Sequence, residues 1–490
     1  MFLSVRSKMK KDSLKSKTFN GMKWALLDNL ANSGVTFLVG LVLARKLSPV
    51  EFGILGLVTI FINLSITIID GGFATALIRK PDADEDDYNT VFYVNILVSV
   101  VLIVLLWFTS GLIANFFEQP VLAQVLPVMS IILLFNACSL IQKTRLVKRL
   151  DFRSQAYVSL VSSLVSGAIG IGVAYRGGGV WALVVQQISR QFIMMVGLWI
   201  ANHWIPTLHF SIKSFRELFG FGSKILVADV INTLYKDMFL AVIGKMYTTR
   251  DLGYYNRADQ FNIIFSNNFG QIVKRVSLSS MSQVQHEEDR FQHSYRKMTR
   301  YIGLLNFAAV FGLAAIAKPL IVTLIGEKWL PVVYLLQIMS LYAALYPLHQ
   351  LNLNILSVRK RSDLLLKLEI VKKFLFIPVI AVGFFFELQF MIWAAVVYYY
   401  VEFFINNWYN ESLVGYGSWK QIKDLFPIYL ISFVVSACVW TLTLTHLSNL
   451  LLIPIQIFLA VVLYIVIYTA IGQPEFAEIR AFCMNKVLHR

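Results

Sequence analysis

The chain has 490 residues, of which 57% are hydrophobic and only 15% charged, with a formal net charge of +16. A soluble domain carries roughly 25% charged residues, so a mean hydropathy of +0.65 excludes a soluble protein and points to a polytopic membrane protein. Cys138, Cys438 and Cys483 are too few and too scattered for a disulfide framework or a metal site.

In chain order, residues 1–23 form a basic tail with no short apolar run before a small-residue cleavage site. Apolar segments of about 20 residues, the length that crosses a bilayer core, then follow one another. Fourteen are expected, roughly over 24–44, 51–70, 91–115, 121–142, 155–175, 179–201, 223–244, 253–276, 301–324, 330–356, 365–386, 389–408, 425–446 and 450–471. A β-barrel is excluded, because its strands run about 10 residues and alternate in polarity. The expected fold is therefore all-α. It comprises an N-lobe over 24–201, a cytoplasmic linker over 202–222, a C-lobe over 223–408, an added pair of spans over 425–471 and a cytoplasmic tail over 472–490. Alternate loops hold 31 and 8 of the Lys and Arg residues. That bias places both termini in the cytoplasm and makes the positive charge a topology signal, with anionic lipids as a secondary contact, rather than a nucleic-acid surface.

The two halves repeat. Laid over 224–256 at a shift of 200, residues 24–56 match at Leu26/Leu226, Asn32/Asn232, Val42/Val242 and Gly53/Gly253, with Asn29/Asp229, Ser33/Thr233, Ser48/Thr248 and Glu51/Asp251 chemically similar. Six spans per half is an even number, so the repeats are parallel, and in such transporters the substrate site lies at the repeat interface.

Ionisable residues inside a span cost at least about 2.5–3.5 kcal/mol at the bilayer centre and face a cavity or a partner. The seventh span reads SKILVADVINTLYKDMFLAVIGK and holds Asp229, Asn232, Thr233, Lys236 and Asp237, all but Asp237 on one helical face. The first span carries Asn29, Asn32, Ser33 and Thr36 on the equivalent stripe, with Asp28 beside them. Two such stripes, facing each other, are expected to line a hydrated cavity. Gln187 and Arg190 in VVQQISRQF, Arg257 and Asp259 in GYYNRADQF, and Glu402 are candidates for the same cavity. Lys367, Glu369, Lys372 and Lys373 crowd one third of the eleventh span, where ion pairing at i, i+3 or i+4 or snorkelling would account for them. The run DADEDD, Asp82 to Asp87, reads as a solvated acidic loop. No Walker loop, Gly-x-Ser-x-Gly or dinucleotide fingerprint occurs.

The stretches LVGLVLARKLSPVEFGILGLVTIF (38–61), IDGGFATALIRK (69–80) and LGYYNRA (252–258) resemble the polysaccharide transporters, the Wzx-type branch of the multidrug/oligosaccharidyl-lipid/polysaccharide flippase superfamily. Length and pattern look most like the exopolysaccharide (colanic-acid-type) subgroup. The resemblance implies a flippase and not an enzyme. It would move undecaprenyl-diphosphate-linked oligosaccharides across the bacterial inner membrane by alternating access, alongside a polysaccharide polymerase and glycosyltransferases. Lys236, Arg190 and Arg257 are then expected to meet the anionic head group. Asn29, Asn32, Ser33, Thr36, Asn232, Thr233 and Gln187 would line the path, and Asp28, Asp229 or Asp237 would couple to H⁺ or Na⁺. No other cofactor and no metal is expected. The competing readings are a drug/cation antiporter of the same superfamily and, from another class, a membrane-embedded polymerase or glycosyltransferase, against which the short loops speak.

Overall fold

Apolar runs in hydrocarbon leave the backbone one open-chain way to pair its N–H and C=O groups, and every regular element among the described residues is a helix. The computed structural model describes residue 24, residues 27–445 and residues 447–488, with side chains as far as Ala481. The expected basic tail over 1–23 lies outside the described residues.

The chain forms two compact units, Met1–Gly253 and Tyr254–Arg490. The first unit contains α1 (Leu27–Lys46), α2 (Pro49–Asp70), α3 (Phe73–Arg79), α4 (Glu85–Phe116), α5 (Leu122–Lys148), α6 (Phe152–Tyr175), α7 (Val180–Asn202) and α8 (Ile212–Met246). Helix α9 (Thr249–Asn262) crosses the unit boundary and continues through a π-helical turn, Ile263–Asn267, into α10 (Asn268–Gln283). The second unit adds α11 (Glu288–Ala315), α12 (Ala317–Ile325), α13 (Leu330–Ala343), α14 (Tyr346–Val358), α15 (Ser362–Phe385), α16 (Leu388–Asn406), α17 (Asn410–Val414), α18 (Ser418–Thr441), α19 (Asn449–Ile471) and α20 (Pro474–Leu488).

Among the described residues, 11 helices are long and apolar enough to cross a membrane. The expected spans over 223–244, 253–276 and 365–386 are not among them. All three are helical, but each holds charged residues within it: Asp229, Lys236 and Asp237; Arg257, Asp259, Lys274 and Arg275; Lys367, Glu369, Lys372 and Lys373.

Two local expectations change. Asp84 caps α4 and its carboxylate accepts from the Asp87 N–H at 2.9 Å, so the acidic run builds a helix start, where carboxylates favour the positive dipole end. It is not a freely solvated loop. Glu85 pairs with Arg145 at 2.8 Å, Asp86 with His209 at 2.8 Å and Asp87 with Lys80 at 2.9 Å. The stretch expected as a linker over 202–222 is helical from Ile212, as the first turns of α8.

The sequence repeat has a structural counterpart in the first unit. A Cβ at Gly53 would fall 1.8 Å from the Thr249 carbonyl oxygen, and one at Gly253 would fall 1.9 Å from the Pro49 carbonyl oxygen. Pro49 and Thr249 are themselves 200 apart, so the two contacts exchange under the repeat, as a two-fold axis requires. The N-caps correspond as well. Ser48 N–H donates to Glu51 Oε2 at 2.5 Å and Thr248 N–H donates to Asp251 Oδ2 at 3.2 Å, two capping boxes on equivalent residues.

The repeat places α8 at the head of the second half, yet its packing is with α2, α3 and α4 of the first unit. Contacts run the length of α2 in antiparallel order. The Gly222 backbone lies against Gly72, Thr233 bonds Thr67 at 3.1 Å, Asp237 bonds Asn63, and Gly244 lies under Leu57.

Unit two is clasped around Tyr295 of α11. Its hydroxyl donates to Asn352 Oδ1 at 2.7 Å and accepts from Asn410 Nδ2 at 2.8 Å and Gln421 Nε2 at 2.7 Å, joining α14, α17 and α18 in a fully buried network. The expected tail over 472–490 is helical as α20 and is pinned to α11 by Arg300–Glu475 and Lys297–Glu478, each at 2.9 Å.

Replacing either close-contact glycine forces two helices apart. Gly53→Leu or Gly253→Leu is expected to cost about 1–3 kcal/mol or more through overpacking, read as a lower melting temperature in detergent. Gly34→Ala, with nothing within 4 Å of its Cβ, should leave the melting temperature unchanged.

Candidate functional site

Helix α1 can present a polar stripe because Asn29, Asn32, Ser33 and Thr36 recur at helical spacing between the exposed apolar residues Leu27 and Leu38. Asn32 is the hub. Its Oδ1 accepts from Ser163 Oγ of α6 and from Arg190 Nη2 of α7 at 3.1 Å. One turn earlier, Asp28 accepts from Ser159 of α6 and lies within electrostatic range of Arg190 and of Lys143 on α5. Ser33 Oγ makes a long contact, 3.5 Å, to Asn29 Oδ1. Gln187, one turn before Arg190 on α7, is half-buried like Arg190 itself.

Small residues make this arrangement possible. A Cβ at Gly167 would fall 2.4 Å from Val39, and one at Gly170 2.7 Å from Gln186. The serine- and glycine-rich α6 thus lets α1 and α7 approach closely enough for Asn32 to reach both Ser163 and Arg190.

On α8 the five polar residues divide. Asp229, Asn232 and Lys236 are exposed. Half-buried Thr233 at the edge of that face and Asp237, four residues on, fasten α8 to α2. Asp237 is only 4% exposed. Among the described residues Lys236 forms no salt bridge with Asp229, and neither Lys236 nor Arg190 has a carboxylate oxygen within 4.0 Å. Both cations therefore keep donors for an outside anion. Asn232 does have protein partners.

Asp70 and Lys143 belong to the same region. Asp70, at the end of α2, accepts from the Ala74 N–H at 3.2 Å and lies in electrostatic range of Asp229 and Lys143. Lys143 is exposed and serves both Asp28 and Asp70. In the sequence it counts as a loop cation, because it falls just past the expected end of its span. The first unit thus gathers Asp28, Asp70, Lys143, Arg190 and Asp229 from five helices.

Arg257 is placed differently. It is 2% exposed in the second unit, its Nη1 donates to Gln260 Oε1, and its guanidinium lies 5.6 Å from the Trp329 ring centroid. That is a stacked, enclosed cation with protein partners on hand. The structure brings Arg190 together with Asn32 and Asp28, and sets Lys236 beside Asn232 and Asp229; it encloses Arg257. No group of three or more metal-ligating side chains occurs among the described residues.

A family model described as "Polysaccharide biosynthesis protein" matches residues 42–334. The teichuronic acid biosynthesis protein TuaB of Bacillus subtilis (strain 168) is 25% identical over 355 residues, covering 72% of this chain and 73% of that protein. The lipopolysaccharide biosynthesis protein WzxC of Escherichia coli (strain K12) is 23% identical over 377 residues, 76% of each chain. Among solved structures, lipid II flippase MurJ in its inward closed conformation matches with a TM-score of 0.73 at 16% identity, covering 92% of this chain and 100% of that one. A multidrug resistance MATE family transporter in its inward-facing conformation matches with a TM-score of 0.60 at 12% identity, over 78% of this chain and 95% of that one. These likenesses establish a transporter fold of the MurJ/MATE kind.

Asn32→Leu removes the acceptor shared by Ser163 and Arg190. Leaving a guanidinium donor and a hydroxyl without their partner is expected to cost about 1–3 kcal/mol, visible as a lower melting temperature. Asn32→Asp keeps the acceptor and should retain most of the stability.

Proposed function

Because the chain belongs to the polysaccharide biosynthesis protein family, we propose that it moves a lipid-linked oligosaccharide across the bacterial inner membrane during the synthesis of a surface or exported polysaccharide. The observation that carries this reading is the pair Arg190 of α7 and Lys236 of α8: cations half-buried and exposed respectively, with no carboxylate oxygen within 4.0 Å among the described residues. A cation without a salt bridge on a helix among membrane spans is retained against a cost of a few kcal/mol, and an anionic cargo offsets that cost.

The chemistry of the cargo follows. A glycan head group joined to its lipid through a diphosphate cannot enter hydrocarbon alone. It needs cations for the phosphates and amide or hydroxyl groups for the sugars, and the first unit supplies both: Arg190, Lys236 and Lys143 beside Asn29, Asn32, Ser33 and Gln187. Exposed apolar residues Val227, Ile231, Leu234 and Met238 share α8 with Asp229, Asn232 and Lys236. One helix can therefore meet a head group and an isoprenoid tail at once. We assign the carrier as undecaprenyl diphosphate, with both chain termini in the cytoplasm as the charge bias requires, and movement by alternating access. Glycosyltransferases that build the unit and a polymerase that consumes it are the expected working partners. Asp28, Asp229 and Asp237 remain our candidates for ion coupling on the substrate side.

The relatives are named for different polysaccharides, teichuronic acid and lipopolysaccharide among them. What such cargoes would share is the lipid carrier and its phosphates, which is why the cations are placed there and not on a particular sugar.

The test is translocation of a labelled undecaprenyl-diphosphate oligosaccharide in proteoliposomes. Arg190→Ala and Lys236→Ala should each slow translocation by about tenfold or more, the effect of losing roughly 1.4 kcal/mol, whereas Lys236→Arg retains most of the rate. Unchanged rates in both alanine variants, at equal protein levels, would refute the assignment.

A further inference from the structure

Helix α7 ends at Asn202 and α8 begins at Ile212. The connector between them, residues 203–211, reads HWIPTLHFS and is neither helix nor strand. It is nevertheless held in place. Trp204 is buried; its indole N–H donates to Glu85 Oε2 at 2.6 Å and its carbonyl accepts from Gln142 Nε2 at 2.9 Å. Asn89 of α4 bonds Thr207 twice, accepting from its N–H at 2.9 Å and donating to its hydroxyl at 2.7 Å. The Ser211 N–H donates to Thr90 Oγ1 at 3.0 Å, and His209 lies 2.8 Å from Asp86. The connector is thus laced to α4 and α5 of its own unit.

What the lacing turns outward is apolar. Leu208 is 96% exposed, Ile205 76% and Ile212, in the first turn of α8, 63%; Phe210 is exposed beside them. Single apolar residues scattered over a surface need no explanation, but a row of them along one short connector does.

Cations stand next to the row. Lys213 and Arg216, three residues apart in the first turns of α8, are exposed, and neither has a carboxylate oxygen within 4.0 Å among the described residues. Arg79 of α3 is exposed as well, with its guanidinium 4.3 Å from the Phe221 ring centroid. The carboxylates of this region are engaged with other cations: Glu217 with Lys80 at 3.1 Å, Glu85 with Arg145 at 2.8 Å and Asp86 with His209.

Two requirements fix where such a segment lies. Its exposed apolar side chains are stabilised by leaving water. Its irregular backbone cannot enter hydrocarbon, where free N–H and C=O groups find no partner. The headgroup layer meets both demands, with acyl chain for the side chains and water for the backbone. The chain geometry agrees. Ile205 follows the end of a membrane-length helix, Val180–Asn202, so closely that even an extended chain carries it only about 10 Å away.

We propose that residues 205–216 form an interfacial anchor that seats in the headgroup layer of the membrane and selects anionic phospholipids. Ile205, Leu208, Phe210 and Ile212 enter the boundary with the acyl chains. Lys213 and Arg216 meet the lipid phosphates, where a basic side chain is attracted to an anionic leaflet. The partner is the lipid surface and not a transported molecule, so the anchor stands independently of the transport reading above. Because α8 starts where the connector ends, the anchor sets the depth of α8 in the bilayer, and with it the level at which Asp229 and Lys236 lie.

The experiment uses the full-length chain in nanodiscs of equal parts phosphatidylcholine and phosphatidylglycerol. A fluorophore is attached at Leu208→Cys, and in a second preparation at Ile205→Cys, after Cys138→Ala, Cys438→Ala and Cys483→Ala. Both side chains are largely free of protein contact, so a label there leaves the packing undisturbed. One lipid or the other is brominated on its acyl chains to act as quencher. Both brominated lipids should quench the label, and the phosphatidylglycerol should quench it more strongly. Lys213→Gln combined with Arg216→Gln should abolish that excess and leave quenching by brominated phosphatidylcholine in place. A label quenched by aqueous iodide and by neither lipid, at both positions, overturns the anchor and leaves the apolar row to a peripheral protein. Equal quenching by the two lipids before the cations are replaced overturns the anionic selection. An excess that survives the double substitution overturns the assignment to Lys213 and Arg216.

Discussion

A polar side chain on a membrane helix must be paired with another side chain or reach water, because hydrocarbon offers it neither donor nor acceptor. That constraint sorts the polar residues of this protein into two populations. One population clasps helices: Thr67 with Thr233, Asn63 with Asp237, and Tyr295 with Asn352, Asn410 and Gln421. The other stays exposed on the same helices, as Asp229 and Lys236 do. The clasps hold the exposed set in place. Thr233 and Asp237, with the close glycine contacts at Gly222 and Gly244, fix the rotation of α8 and so the direction of the face that presents Lys236.

The glycine contacts impose a second geometric condition. Gly53 against the Thr249 carbonyl and Gly253 against the Pro49 carbonyl leave no room for a Cβ on either helix. Weak residue similarity between apolar segments is poor evidence for a repeat, since such segments share composition. Reciprocal contacts between residues 200 apart carry much more weight, because chance composition does not produce a symmetric pair of backbone approaches flanked by equivalent capping boxes. The repeat is thus anchored where its two copies meet.

Helix class and the approximate position of each apolar segment were legible because a length near 20 residues and a lack of charge report directly on the bilayer. The segments over 223–244, 253–276 and 365–386 show the limit of that signal: they are helical, yet they carry charge where an apolar criterion expects none. At the site, spacing identified the α1 stripe and the exposed face of α8. It groups Thr233 with that face, and only packing shows that Thr233 also bonds Thr67 of α2, because a helical wheel cannot tell which side of a face meets a neighbour. It treated Arg190, Lys236 and Arg257 alike, and only packing separates the first two from the third, enclosed by Trp329 and Gln260. Lys143 and Asp70 escaped notice for a simpler reason. Each falls at the end of an expected span, where a charge is ordinary, and only the approach of α1, α2, α5 and α8 makes them part of one electrostatic group.

Arg190 and Lys236 of the first unit and Lys372 of the second handle charge in opposite ways. In the first unit Arg190 and Lys236 lack a carboxylate partner within salt-bridge distance among the described residues, so their field is available to an incoming anion. In the second unit Lys372 lies between Glu369 and Glu402, so an outside anion would have to displace two carboxylates to reach it. The same kind of side chain therefore does two jobs: where carboxylates lie within reach, as at Lys372, it fastens one helix to the next, and where none does, as at Lys236, its donors stay open.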